Sequence, residues 1–147
     1  MNQEDKRESD RHSMPQEQTL YVFFRVGNLR CHLPAAEVER VADLVPIHGL
    51  PRLPRGILGI CSERGRVLTV VDTAALLESS EEGPPDLLPR LLVLKMQEGH
   101  LALRVDGVEE IRPRGLEEAG PDSGLDSPLP LELTIQRVVE KLALVAT

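Results

Sequence analysis

Aromatic residues are nearly absent: one tyrosine, two phenylalanines and no tryptophan in 147 residues. Tyr21, Phe23 and Phe24 lie together, so the core must come from leucine, valine and isoleucine, a composition that permits β-structure. Cysteine is scarce too. Cys31 and Cys61 form no C-x-x-C pair, which argues against a zinc ribbon or thioredoxin-like site; both read as small buried hydrophobes in strands. No apolar run approaches the ~18 residues of a membrane span. The charged N-terminus has no apolar h-region, so no signal peptide is expected. These absences predict a soluble, cytoplasmic protein without direct membrane insertion. The net charge of −7 argues against a nucleic-acid partner, because a phosphate backbone needs a basic face. P-loop, G-x-G-x-x-G and G-x-S-x-G patterns do not occur. His12, His32, His48 and His100 show no metal-ligand spacing. No metal, cofactor or catalytic residue is expected.

What is present centres on residues 56–77, G-I-L-G-I-C-S-E-R-G-R-V-L-T-V-V-D-T-A-A-L-L. Two apolar runs, 57–61 and 67–71, flank a polar turn at Ser62, Glu63, Arg64 and Gly65. Gly65 can supply the positive φ of a tight hairpin turn. Asp72 is a good N-cap for a short helix over 73–77, since its carboxylate can accept free N–H groups of the first turn.

Around this unit the chain reads as short strands. Residues 1–18 are polar, without hydrophobic periodicity, and are expected to be a disordered tail. Leu20–Val26 and residues 29–33 make a hairpin about Gly27 and Asn28, with His32 on a solvent-facing or partly buried face. Pro34 can open a helical turn through Glu37, and residues 38–45 continue as a strand. Residues 46–55 hold three prolines and a glycine and read as a surface loop; His48 is solvated there. The acidic stretch 78–86 reads as an internal linker. Beyond it, 91–96 and 100–105 pair about Gln97, Glu98 and Gly99. Asp106 and Gly107 form another tight turn before a strand at 108–111. Residues 112–130 form a long loop, and 131–138 with 142–145 close the chain as a hairpin turning at Glu140 and Lys141. Nine or ten hairpin-connected strands with one or two helical turns predict small antiparallel barrels or a sandwich. The break at 78–86 predicts sub-barrels at about 19–77 and 87–147.

Two segments carry candidate chemistry. Val70, Val71, Asp72, Thr73 and Ala74 resemble the catalytic loop of retropepsin-type aspartic proteases. That chemistry needs two aspartates sharing a proton, so a single copy would require a homodimer; no glycine-rich flap accompanies it. Arg52, Arg55, Arg64 and Arg66 are the one basic concentration in an acidic chain. They read either as a solvated loop surface or as a docking patch, arginine being enriched at interface hot spots.

The order of segments over 20–77 resembles the CheW-like family, the chemotaxis coupling proteins and the matching regulatory domain of their histidine kinases. The family's segment ending in V-x-E-I corresponds to A-A-E-V-E-R-V here. Its P-x-x-I-x-G-V-x-N-L-R-G-x-V-I-P-V-V-D-L block corresponds to P-R-G-I-L-G-I-C-S-E-R-G-R-V-L-T-V-V-D-T. Its later G-x-x-V-D-x-V corresponds to A-L-R-V-D-G-V. The resemblance covers roughly residues 19–112, more weakly to the end. It implies an all-β fold of two intertwined five-stranded SH3-like barrels, with strands exchanged between the sub-barrels and one or two short helices. It also implies a non-enzymatic scaffold, recruited to membrane receptor arrays, that joins a chemoreceptor cytoplasmic tip to the regulatory domain of a CheA-type histidine kinase. By position, the implied partner-contact residues are Val38, Arg40, Gly59, Ser62, Glu63, Arg64, Gly65, Val105 and Val108. The chain departs from the pattern in places. Arg40 replaces the glutamate of V-x-E-I, Ser62 and Glu63 replace the Asn and Leu of N-L-R-G, and Thr69 replaces a proline. The last strand, L-A-L-V-A-T, stops where relatives continue into a terminal helix. These departures allow an accessory homologue that binds another signalling protein without kinase coupling.

Overall fold

The computed structural model describes residues 19–79, 82–115 and 131–146; the expected tail at 1–18 and most of the expected long loop lie outside them. The elements in order are β1 (Leu20–Val26), β2 (Leu29–Pro34), a 3-10 turn (Ala35–Glu37), β3 (Val38–Asp43), β4 (Ile57–Glu63), β5 (Arg66–Asp72), α1 (Thr73–Leu76), β6 (Arg90–Leu94), β7 (Leu101–Val105), β8 (Gly107–Pro113), β9 (Leu131–Glu132) and α2 (Ile135–Ala146). They build two sheets, ordered β8-β1-β2-β9 and β3-β6-β7-β5-β4. The fold is all-β with short helices, and each sheet draws strands from both sides of residues 78–86. The pairing is antiparallel except for β2 with β9 and β5 with β7, which run parallel. A parallel pair needs a long crossover, and the chain from α1 through β6 supplies it between β5 and β7.

Most core strands are buried on both faces, which is why they read as near-continuous apolar runs rather than alternating ones. On β6, Leu92 and Leu94 face the main core between the sheets, with Val22, Phe24, Cys31, Leu33, Leu103 and Val105. Leu91 and Val93 face a second cluster inside the five-stranded sheet, with Ala42, Cys61, Leu68, Val70 and Ala102. That sheet curls upon itself. The chain following β3 returns to β4, where His48 and Ile60 exchange two backbone hydrogen bonds of 2.8 and 2.9 Å.

Three sequence expectations need correction. The closing hairpin is a helix. Ile135, Val138 and Leu142 pack on the main core at helical spacing, a 3.6-residue period that the β-branched composition obscures. Its first turn is held by the Thr134 hydroxyl, which accepts the Arg137 N–H at 3.2 Å, and by Glu37, whose carboxylate accepts the Ile135 N–H at 2.7 Å; both satisfy otherwise orphaned donors. A helix therefore does follow the last strand. Second, His32 is wholly buried, stacked on Phe23 with centroids 5.3 Å apart and edge-on to Tyr21. Third, Asp106 and Gly107 do not form a hairpin turn: β7 and β8 belong to different sheets, and the chain crosses between them there.

Asp106 fixes that crossing. Its carboxylate accepts the Gly27 N–H at 2.6 Å and the Arg104 guanidinium at 3.0 Å, while its own N–H donates to the Arg25 carbonyl at 2.8 Å. Asp106→Ala leaves the Gly27 donor without its partner and is expected to cost about 1–3 kcal/mol, read as a lower urea midpoint with an unchanged m-value.

Both cysteines are reduced and buried. Burial pushes the Cys31 thiol up to about 12, with Arg25 pulling weakly the other way, and burial also raises Cys61. Above the ordinary thiol pKa, the unfolded chain loses a proton that the native chain keeps, so stability falls as pH rises. Between pH 9 and 10 the wild type should lose up to about 1.4 kcal/mol more than Cys31→Val, measured by urea melts at both pH values.

Candidate docking surface

The β4–β5 hairpin has a two-residue loop, Arg64 and Gly65, at φ 52° and 78°. Positive φ at both central residues is the type I′ geometry, whose twist matches that of the flanking strands. The turn is therefore a stiff mount, and it holds Arg64 in a conformation that a non-glycine residue rarely adopts.

Beneath the turn lies a charge network. Glu63 pairs with Arg66 across the hairpin, on the face shared by Cys61 and Leu68. From the opposite edge of the sheet, Arg40 of β3 reaches Glu63, with Nη1 donating to Oε2 at 2.7 Å. Glu39 binds Arg66 alongside. The side chains of Arg40 and Glu63 are only 19% and 11% exposed. These pairs link β3 to the β4–β5 hairpin, the Arg40–Glu63 pair joining the first and last strands of the sheet order across the gap that the sheet itself leaves open. Desolvation lowers the Arg40 pKa, with Arg64 and Arg66 repelling it further, and the hydrogen bond from Arg66 lowers that of Glu39.

Two carboxylates and two guanidinia thus satisfy one another, and Arg64 is left over. Its side chain is 75% exposed and its Nε lies 3.9 Å from Glu63. Ser62 is exposed beside it, and its cross-strand neighbour Val67 is 59% exposed. The tip offers a guanidinium, a hydroxyl and an apolar side chain on a rigid support, a composition suited to an interface anchor.

Of the nine residues singled out from the sequence, Arg40, Ser62, Glu63, Arg64 and Gly65 come together here. Gly59 is buried lower on β4, against the backbone of His48. Val105 lies wholly in the main core, and Val38 and Val108 pack against it partly buried. Sequence reasoning missed Glu39 and Val67. Their roles depend on strands far apart in the chain, and no local pattern signals them. Asp72, the protease candidate, caps α1 by accepting the Ala75 N–H at 3.2 Å.

The charged groups beneath the turn are tied up in holding strands together, the Arg64 side chain reaches solvent, and the best catalytic candidate, Asp72, is used as a helix cap. Comparisons with known proteins show the family. Residues 20–136 match the CheW-like domain, and the chain belongs to that family of non-enzymatic chemotaxis scaffold and coupling proteins. It is similar to Protein FrzA of Myxococcus xanthus, at 40% identity over 61 residues, covering 42% of this chain and 38% of that protein. Its fold is that of the scaffolding protein TtCheW from Thermoanaerobacter tengcongensis, with a TM-score of 0.63 at 23% identity, covering 74% of this chain and 70% of that one. Among the described residues, no helix is long and apolar enough to cross a membrane.

Proposed function

We propose that this chain couples a chemoreceptor cytoplasmic tip to the regulatory domain of a CheA-type histidine kinase in a bacterial chemosensory array, and that the β4–β5 tip is one of its contact surfaces. The observation that carries this reading is the Arg64 guanidinium, left exposed on a rigid turn while the four charges beneath it neutralise one another. An exposed arginine of this kind suits an acidic or polar protein surface and steers association electrostatically. Val38, Val105 and Val108 serve by shaping the core on which such surfaces rest, and Gly59 by seating β4. The scaffold works in the cytoplasm and reaches the membrane only through its receptor partner.

A second reading has its own support. Arg40 and Glu63 both depart from the family pattern, and in the structure they touch. One departure compensates the other, which keeps the fold and changes the surface. Such a change can deselect one partner and admit another, giving an accessory scaffold that binds a different signalling protein. Calorimetric titration of the chain against the cognate kinase regulatory domain and the receptor tip distinguishes the two. Binding to both supports coupling, binding to one supports the accessory role, and binding to neither rejects both readings.

A further inference from the structure

At the base of the β4–β5 hairpin, remote from its tip, a cavity of about 740 Å³ opens between α1, α2 and β9. That volume falls within the range of small-ligand sites, which are mostly apolar with a few convergent polar groups. Leu29, Leu76 and Leu131 supply apolar lining, and Arg55, Lys141 and Glu78 supply the charges. These charges are not used elsewhere: among the described residues, Arg55, Lys141 and Glu78 have no ion-pair partner. In a chain of net charge −7, two cations with no ion-pair partner among the described residues, set beside a cavity part-lined by leucine, need a reason. Leu144, also lining the cavity, is 75% exposed.

We infer that this cavity binds a singly charged anionic amphiphile, a medium-chain aliphatic carboxylate being the simplest. The aliphatic chain lies on the leucine surface and the carboxylate meets Arg55 and Lys141. Glu78 lining the same cavity sets the charge. It leaves a net of one positive charge, which matches a monoanionic head and disfavours a doubly charged phosphate ester. The site does not depend on the docking tip, because it lies at the other end of a seven-residue strand, roughly 20 Å away at ~3.3 Å per residue. Ligand binding there stabilises the native chain by mass action.

The test uses the full chain with dodecanoate below its micellar concentration, dodecyltrimethylammonium as the same tail with the opposite charge, and acetate as the head without the tail. Calorimetry and thermal melts should show binding and a raised Tm for dodecanoate only. Arg55→Gln and Lys141→Gln should each weaken dodecanoate by up to about fivefold, the range of exposed ion pairs, and Glu78→Gln should tighten it by a similar factor. The opposite signs separate a charge effect from a general loss of fold, and circular dichroism checks each variant. Equal binding of the cationic amphiphile would overturn the inference. So would no dodecanoate binding, a Glu78→Gln variant that binds no tighter, or binding that instead tracks self-association of the chain.

Discussion

Gly59→Val should lower the stability of the chain by about 2–4 kcal/mol, the range of strongly disruptive core changes. A Cβ placed on Gly59 would sit 2.2 Å from the His48 carbonyl oxygen and 2.7 Å from its carbon. Both are backbone atoms, and they cannot retreat while His48 and Ile60 keep their two hydrogen bonds. Those bonds are worth about 1 kcal/mol each, and they fasten the chain after β3 onto β4. The substitution therefore detaches the chain after β3 from β4. A loss of this size lowers Tm by roughly 10 °C in a domain of this length. Gly65→Ala is the control. Its Cβ meets nothing within 4 Å, so only the backbone strain at φ 78° remains, roughly 1 kcal/mol. Equal losses for the two variants would show that the His48 contact does not hold the sheet.

The second large effect is on binding. Arg64→Glu should weaken the partner complex by at least about thirtyfold, which is ~2 kcal/mol, the scale of a hot-spot residue. Stability should stay within ~0.5 kcal/mol, as for an exposed position without a strong partner. Charge reversal at the tip sets two like charges together at the interface and adds a third carboxylate near Glu63. Arg64→Asn separates charge from geometry, because asparagine tolerates the left-handed conformation of the turn. It should keep the fold and lose most of the affinity. Thermal melts and calorimetric titration on the same samples read both quantities. Arg40 behaves differently. Arg40→Leu takes the partner from a mostly covered Glu63, so it should lower stability, and adding Glu63→Leu should restore part of the loss.

The strands were legible wherever the decisive interaction was local. The hairpin at Arg64 and Gly65 and the cap at Asp72 follow from a turn dipeptide and a carboxylate three residues before the N–H it accepts. The family pattern in residues 54–73 marked the turn proposed for docking. What stayed hidden depends on distant contacts. Ile135, Val138 and Leu142 suit a helix or a strand by composition, and the choice is made by the main core and by a cap from Glu37, nearly a hundred residues earlier. Asp106 looks like a turn residue because its partners, Gly27 and Arg25, lie on the β1–β2 hairpin some eighty residues earlier. His32 looks half-exposed because nothing local shows that Phe23 and Tyr21 will pack on its ring. Arg40 looks like an isolated charge reversal because its partner, Glu63, lies on the strand at the opposite edge of the sheet.

The central claim is that this CheW-like chain works by docking a partner on the Arg64 turn. Titrating the isotope-labelled chain with the kinase regulatory domain, and separately with the receptor tip, tests it directly by nuclear magnetic resonance. The expected result is that at least one partner shifts the amide signals of Ser62, Arg64, Gly65 and Val67, and that Arg64→Glu abolishes those shifts while the rest of the spectrum stays folded. A partner that binds with these signals unmoved, or that binds Arg64→Glu as tightly as the wild type, would contradict it.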